Sequence, residues 1–226
     1  DIESKTDYIA VSSTSNNDNN NGSGTSKYHV AKYCESGGFN IDNYSDEFTL
    51  DYSLSCWNGA KFDSNVDQYV NEDIDVIFIG GDDTFSSSTC SSIKEAVYND
   101  GKILMINFWS NRNFDELLPA ENLGNALYGN SLTVADSDSP ILEGLPTDYS
   151  NSDPTKNREH CKAKSGATVL LRYENNGDPA LLYWKYGNGY VIEWTMELMG
   201  KFIDKDDLNT INYRLIKYLL EGKVPN

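Results

Sequence analysis

Two short apolar runs constrain the fold of this chain more than any other feature. Residues 75–79 (Asp-Val-Ile-Phe-Ile) lead directly into the polar turn at 80–83 (Gly-Gly-Asp-Asp), and residues 103–106 (Ile-Leu-Met-Ile) form a second run. Runs of this kind are typical of central strands in a parallel sheet, because such strands are buried on both faces. Between them, residues 90–97 carry apolar side chains at helical spacing. The order strand, helix, strand predicts an α/β fold.

The remaining apolar patterns extend this alternation along the chain. Strands are predicted at residues 8–12, 39–41, 132–135, 168–172, 180–185 and 190–195. Helices are predicted at residues 25–35 and 66–70, in most of 114–127, and from 206 to the Gly222 stop. The turn at 186–189 (Tyr-Gly-Asn-Gly) joins the last two strands as a hairpin.

This pattern predicts one flavodoxin-like α/β domain that spans residues 1–226. The sheet is expected to be mixed and mainly parallel, with helices on both faces and a C-terminal antiparallel hairpin. A chain of 226 residues is long enough to bury a sizeable core without a metal. No internal repeat and no linker divides the chain into two cores.

The charge of the chain excludes two classes of partner. Lys and Arg total 18 against 35 Asp and Glu, so the net charge is −17. A field of this sign repels phosphate backbones and anionic lipid headgroups, so we expect no nucleic acid and no membrane surface as partner. The chain also lacks a stretch of about 18 apolar residues, the length that a membrane span requires.

The composition favours an extracellular or cell-surface location. The chain has 25 Asn and 15 Tyr but only 2 His. Asn21 and Asn43 each begin an N-glycosylation sequon in a polar stretch, although an Asn-rich chain produces such triplets by chance as well. Many Tyr and few Lys also resemble protein-contact surfaces, so self-association or contact with other surface proteins is expected.

The four cysteines are widely spaced, at Cys34, Cys56, Cys90 and Cys161. Without a Cys-x-x-Cys pair, this spacing argues against a zinc ribbon and against a redox dithiol. Two disulfides in any of three pairings fit a secreted chain. The alternative is four buried thiols, because Cys is common in protein cores.

The order of elements resembles the class I glutamine amidotransferase-like fold, particularly its trehalose-utilisation-type branch and related extracellular domains. The shared features are the strand and turn at 75–83, the strand at 101–106 and the segment 139–146 (Ser-Pro-Ile-Leu-Glu-Gly-Leu-Pro). Residues 187–192 are similar to the hairpin that precedes the closing helix of that branch. The resemblance covers about residues 7–221 and rests on the order of short motifs.

The catalytic residues that this resemblance implies are missing. Active members carry a nucleophilic Cys on a Gly-flanked elbow after the strand that here is 103–106. This chain has Asn-Phe-Trp-Ser-Asn-Arg at 107–112, and Ser110 lacks the glycines that such an elbow needs. In the family's Gln-Phe-His-Pro-Glu motif, Thr195 takes the place of the general base, and Thr accepts no proton near neutral pH. Only Glu197 matches, which predicts a non-catalytic domain.

The two histidines do not restore the missing base. His29 is expected inside the predicted first helix, and His160 lies in a charged loop beside Cys161. Adjacent side chains rarely converge on one substrate. We therefore expect Cys161 to be disulfide-bonded or an exposed thiol rather than a nucleophile.

A ligand site is expected beyond the carboxyl ends of the parallel strands. The loop at 13–24 would meet there with six candidate binding residues: Asp82, Asp83, Trp109, Asn111, Arg112 and Glu197. Carboxylates, an amide, a guanidinium and an indole suit a polyol or a glycan. Their oxygens would also suit Ca²⁺, although no other cofactor and no metal cluster is predicted. Alternatively, Asp82 caps the next helix, and Trp109 and Trp194 belong to the core.

Two functions follow from these patterns. The first is a non-catalytic secreted or surface domain, used in assembly as a filament, sheath or surface-layer subunit or in ligand and glycan binding. The alternative is a carbohydrate-active hydrolase that uses Asp82, Asp83 and Glu197, since a pair of carboxylates is sufficient for glycoside hydrolysis.

Overall fold

The computed structural model describes residues 27–34, 39–80, 84–107, 114–124, 127–128, 131–149, 157–196 and 202–222. Thirteen strands lie in these ranges: β1 Tyr28–Tyr33, β2 Phe48–Leu54, β3 Val76–Ile79, β4 Ile103–Asn107, β5 Ala120–Asn122, β6 Leu127–Tyr128, β7 Leu132–Val134, β8 Asp148–Tyr149, β9 Asn157–Arg158, β10 Cys161–Ala163, β11 Thr168–Tyr173, β12 Pro179–Tyr186 and β13 Gly189–Trp194. The α-helices are α1 Gly59–Asp63, α2 Val66–Tyr69, α3 Ser87–Asp100 and α4 Lys205–Leu220, and a 3-10 helix spans Ile41–Tyr44.

Nine of these strands form one mixed sheet in the order β2-β1-β3-β4-β13-β12-β11-β7-β8. The first five are parallel to one another, and every pair from β13 to β8 is antiparallel. The predicted α/β class, with a parallel core and an antiparallel C-terminal part, is therefore confirmed. Two small two-stranded sheets, β5 with β10 and β6 with β9, lie outside the main sheet.

The two apolar runs form the centre of the sheet, as predicted. All four residues of β3 and all five of β4 are buried. Their side chains alternate between two core clusters, so Phe78 and Met105 pack on one face while Ile77 and Leu104 pack on the other. Burial on both faces explains why these runs show no polar alternation.

One long helix packs on each face of the sheet. On α3, Ile93 and Val97 pack into the cluster that contains Leu104, and on α4, Leu208 and Leu215 pack into the cluster that contains Met105. Side-chain caps begin both helices: Ser86 Oγ accepts the amide of Thr89, and the Asp204 carboxylate accepts the amide of Asp206. Each cap satisfies an amide that has no partner within the helix.

The hairpin between β12 and β13 packs tightly against the end of α3. The Asn188 amide donates to the Tyr98 carbonyl, and a Cβ placed on Gly189 would come within 2.6 Å of the Val97 carbonyl oxygen. Gly187 has φ 62°, which suits a tight hairpin turn. The predicted hairpin is confirmed, and its glycines allow this close approach.

The prediction of a helix at 25–35 is wrong, because Tyr28–Tyr33 is the strand β1. The apolar residues at helical spacing are instead buried on both sides of a strand, with Val30 in one core cluster and Tyr33 in the other. Pairing with both β2 and β3 satisfies the backbone of this segment. His29 accordingly lies in a strand, where its Nδ1 lies 2.6 Å from an Asp51 carboxylate oxygen.

Two further local predictions are wrong. Residues 39–41 form no strand, and the neighbouring strand is β2, whose alternation of Phe48, Leu50, Tyr52 and Leu54 is its sequence signal. Residues 114–118 form a single turn instead of a longer helix. Pro119 follows directly, lacks an amide hydrogen and cannot continue a helix, and β5 then pairs with β10.

The cysteines form one disulfide, not two. Cys34 and Cys56 are bonded, whereas Cys90 and Cys161 are buried free thiols. The bond joins the carboxyl ends of β1 and β2, where the Cys34 amide also donates to the Leu54 carbonyl. Neither original alternative is fully correct, since two cysteines are bonded and two belong to the core.

Within the part of the chain that the structure covers, no helix has both the length and the apolar character of a membrane span.

Candidate functional site

The candidate site is the edge of the sheet where the five parallel strands end. β1, β2, β3, β4 and β13 all run in one direction, so the residues that follow them meet at this edge. The six candidate residues Asp82, Asp83, Trp109, Asn111, Arg112 and Glu197, and the loop at 13–24, lie outside the described residues. The structure therefore describes the strand ends that border the predicted site.

Thr195 follows β13 and is fully buried. Its hydroxyl donates to the Pro179 carbonyl at 2.7 Å. The Tyr173 hydroxyl lies 3.3 Å from the Thr195 hydroxyl oxygen. The Thr195 carbonyl accepts the Glu159 amide and the Tyr173 hydroxyl. The residue that takes the position of the family's general base thus joins the end of β13 to its neighbours.

Arg158 is the central polar side chain beside Thr195. It is fully buried, its guanidinium carbon lies 4.0 Å from the centre of the Tyr173 ring, and its Nη1 lies 3.3 Å from an Asp178 carboxylate oxygen. The guanidinium also donates to the Asn175 side chain and to the Tyr128 carbonyl. These contacts fasten the β9 segment to the loop between β11 and β12.

His160 shares the Asp178 carboxylate with Arg158. Its Nδ1 lies 2.9 Å from the same Asp178 oxygen, and the imidazole is 39% exposed while Asp178 is 11% exposed. A buried arginine, a mostly buried carboxylate and a partly exposed imidazole are therefore connected at this edge. Sequence reasoning placed His160 in a loop and missed this cluster, because a lone arginine in a polar stretch carries no pattern.

A buried carboxyl lies one residue before the end of β13. Glu193 is 2% exposed and accepts the Ala120 amide at 2.9 Å. The pKa of Glu193 is raised to about 8, mainly by burial; the nearby Glu159 carboxyl adds to the rise, and the Ala120 amide opposes it. The folded environment therefore favours the protonated form of Glu193.

The two free thiols, Cys90 and Cys161, are both buried. Cys161 is 1% exposed, and burial, together with the carboxylates of Glu159 and Glu193, raises its pKa far above the usual range. Burial also raises the pKa of Cys90 to about 11. The expectation that Cys161 is bonded or exposed is wrong, because β10 places its side chain in a small core cluster with Ala120 and Leu182.

The segment at 139–146 has a structural role. Ile141 and Leu142 are buried in the core cluster under α4. The Arg214 guanidinium donates to the carbonyls of Ile141 and Glu143, at 3.3 and 2.6 Å. This motif of the sequence therefore anchors the loop between β7 and β8 to the closing helix.

Trp57 is a feature of this edge that sequence reasoning missed. It follows Cys56 at the carboxyl end of β2, and its side chain is 75% exposed. Trp57 and Cys34 are the two non-glycine residues with positive φ among those described, at 64° and 63°. The sequence signal for this loop is the Cys-Trp-Asn triplet at 56–58, which follows the alternating pattern of β2.

Trp194 belongs to the core, in agreement with one of the two interpretations of its sequence position. It is fully buried in β13, and its indole nitrogen donates to the Asn212 side chain on α4 at 2.9 Å.

Within the described residues, no group of three or more His, Cys, Asp or Glu side chains is arranged to hold a metal ion.

Comparisons with known proteins identify the fold. No protein-family model matches the chain, and no curated protein matches its sequence. Among solved structures, a ThuA-like protein from Parabacteroides merdae matches with a TM-score of 0.56 and 12% identity, over 89% of this chain and 92% of that one. A cytoplasmic protein from Salmonella typhimurium LT2 matches with a TM-score of 0.54 and 16% identity, over 88% and 100%.

Larger enzymes contain the same fold as one part. The β-galactosidase from Bacillus circulans sp. alkalophilus matches with a TM-score of 0.56 and 16% identity, over 87% of this chain and 31% of the enzyme. The chain thus spans about a third of the length of the β-galactosidases that it matches. At these identities the likeness shows the fold alone, which agrees with the class I glutamine amidotransferase-like resemblance of the sequence.

Proposed function

We propose that this chain is a non-catalytic domain of a secreted or cell-surface protein, and that it serves binding or assembly through the carboxyl edge of its sheet. The observation that carries the proposal is the state of Thr195. Its hydroxyl is buried and donates to the Pro179 carbonyl, so the position of the family's general base is used to hold β13 and β12 together.

The thiols support the same conclusion. Acyl transfer of the family type needs a reactive thiolate, and both free thiols are buried with raised pKa values. In the sequence, the elbow position after β4 holds neither Cys nor Gly. The likeness to one third of a β-galactosidase chain fits a domain that accompanies a catalytic unit elsewhere.

An extracellular location is supported by the disulfide. Cys34–Cys56 is a bond that persists in oxidising compartments and is rare in the cytosol. Asn43 is exposed on the 3-10 helix, where an oligosaccharide would find space. Expression in a glycosylating secretory host is expected to add a glycan that an Asn43→Gln variant loses, and an unchanged intact mass would contradict this.

The experiment that tests the non-catalytic proposal is a turnover panel. Purified domain is incubated with glutamine, nitrophenyl esters and nitrophenyl glycosides, and we expect no release of ammonia or nitrophenol above the buffer rate. Turnover that survives repurification but is lost in Asp83→Asn or Glu197→Gln would overturn the proposal. A Glu121→Gln variant, changed at an exposed surface pair with Lys162, serves as control.

The second candidate is a carbohydrate-active hydrolase. One observation favours it: Glu193 has a raised pKa and lies beside a second carboxyl, Glu159, as catalytic acids often do. Its burial against the Ala120 amide and its 2% exposure leave no access for a glycosidic oxygen in this conformation. The same turnover panel decides between the two functions.

Assembly and ligand binding are separated by a different measurement. Light scattering of the purified domain across a wide concentration range is expected to show oligomers if assembly is the role. A strict monomer at all concentrations would count against assembly and leave ligand binding as the function.

A further inference from the structure

We propose that the Trp57 indole is a stacking platform for a neutral saccharide, displayed on a rigid loop beyond β1 and β2. The inference rests on the proposed non-catalytic binding function and names the class of ligand. It is carried by three observations on the described residues: the exposure of the ring, the backbone strain beneath it, and the bonds that hold the loop.

The loop that carries Trp57 is fastened on both sides of the ring. Before it, Cys56 is bonded to Cys34, and the Cys34 amide donates to Leu54. After it, the Asn58 amide donates to the Tyr33 hydroxyl at 3.1 Å. Tyr33 itself is fully buried among aromatic rings. The loop is therefore anchored to the core, although its largest side chain lies in solvent.

The backbone under Trp57 is strained. A positive φ is uncommon for a bulky residue, and glycine or asparagine would adopt it at lower cost. Strain of this kind persists where the surrounding structure enforces it, and it concentrates at ligand sites. Because the ring is 75% exposed, burial in this domain does not offset the cost of placing Trp there.

The distribution of exposed apolar groups favours a small ligand over a protein partner. The other large exposed hydrophobic side chains among the described residues are dispersed: Leu50 in the middle of β2, Tyr98 on α3, Leu123 after β5 and Tyr128 on β6. A stable protein interface needs a contiguous patch of about 800 Å² on each partner. A single indole face matches the apolar face of one pyranose ring.

The polar residues next to Trp57 in the loop suit a saccharide. The Asn58 side-chain amide donates to Ser55 Oγ and to the Ser55 and Cys56 carbonyls, which orients the amide oxygen away from these groups. Ser55 is exposed and accepts one of these bonds through its hydroxyl oxygen, so its O–H can donate to a ligand. Ser55 and Asn58 flank Trp57 along the chain, and a hydroxyl and an amide are groups that hydrogen-bond sugar hydroxyls. The charge of −17 favours neutral saccharides over acidic ones.

The test uses three variants of the whole chain. Trp57→Gly removes the ring and relieves the positive φ, Trp57→Phe keeps an aromatic face, and Tyr98→Ala removes an exposed ring from α3, at the other end of the sheet. The probes are cellotriose, mannotriose, galactobiose and diacetylchitobiose at millimolar concentrations. The readouts are the indole N–H resonance of Trp57, assigned by its loss in Trp57→Phe, and intrinsic fluorescence.

We expect at least one saccharide to shift the Trp57 resonance and to bind wild type and Tyr98→Ala alike. Trp57→Gly should melt at or above the wild-type temperature yet bind on the order of tenfold or more weakly, with Trp57→Phe in between. Binding that survives in Trp57→Gly, or no binding by any saccharide of the panel, would overturn the platform and leave the non-catalytic function intact. Cleavage of a bound saccharide, seen by mass, would overturn the non-catalytic function instead.

Discussion

The central carbon of the Arg158 guanidinium lies 4.0 Å from the centre of the Tyr173 ring, and both side chains are fully buried. The hydroxyl of Tyr173 donates to the Thr195 carbonyl. The arginine, the tyrosine and the position of the family's general base therefore form one connected unit. This unit holds the carboxyl end of β13 in place.

Replacing Arg158 is expected to be strongly destabilising. Arg158→Met leaves Asp178 as a mostly buried carboxylate without its guanidinium, and breaking a buried pair costs about 3–5 kcal/mol of unfolding free energy. Urea unfolding followed by circular dichroism measures the loss. As a matched control, Lys162→Met breaks the exposed pair with Glu121 and should cost under about 1 kcal/mol. Equal midpoints for the two variants would show that the buried pair contributes nothing.

The pH dependence of stability should report Glu193. Its pKa is raised from 4.5 to about 8 on folding, so the folded state keeps a proton that the unfolded state releases between these values. Stability is therefore expected to fall as pH rises from about 4.5 to about 8, because the unfolded state then binds fewer protons. Unfolding midpoints in urea from pH 5 to pH 9 test this.

The variant Glu193→Gln separates this group from the other carboxyls. Gln keeps an acceptor for the Ala120 amide but does not titrate, so the decline in stability toward pH 8 should flatten. Glu121→Gln, on the exposed strand β5 beside it, should retain the wild-type slope. An unchanged slope in Glu193→Gln would mean that Glu193 is already ionised at neutral pH.

The disulfide should stabilise the fold measurably. Cys34 and Cys56 are 22 residues apart, and closing a loop of that size contributes about 3 kcal/mol. Reduction of the wild type is expected to lower its melting temperature. A double Cys34→Ser, Cys56→Ser variant should melt at that lower temperature and no longer respond to reductant. A variant that still responds would implicate another pair of cysteines.

Alkylation counts the remaining thiols. Iodoacetamide should modify neither Cys90 nor Cys161 in the folded protein at neutral pH, because both are buried and their pKa values are raised. Two modified cysteines are expected after unfolding without reductant, and all four after reduction. Rapid labelling of Cys161 in the native state would reveal an accessible thiol at the candidate site and contradict the non-catalytic proposal.

Much of the sheet could be predicted from local patterns. The buried runs at β3 and β4, the hairpin between β12 and β13, and the amphipathic α4 each carry their own periodicity, and the structure confirms them. The helix predicted in place of β1 failed because apolar residues at helical spacing also suit a strand that is buried on both faces. The pairing of β1 with β2 and β3, distant in sequence, decided its conformation.

The site was predicted less completely, for physical reasons that differ by residue. The substitution of the general base by Thr195 is readable from a motif, but the hydroxyl's bond to Pro179 depends on strand pairing. Arg158 gave no signal, since only the approach of Tyr173 and Asp178 makes it a buried residue. The loop that carries Trp57 likewise includes a disulfide whose partner, Cys34, follows another strand.

The amino-acid sequence alone determined the α/β class and the acidic charge, because composition and short-range periodicity belong to the chain whatever its conformation. Only the tertiary structure decided which cysteines are bonded, which carboxyl has a raised pKa and which indole is mostly exposed. Each of these properties arises from groups that are far apart in sequence and become neighbours, or lose water, only when the strands pair.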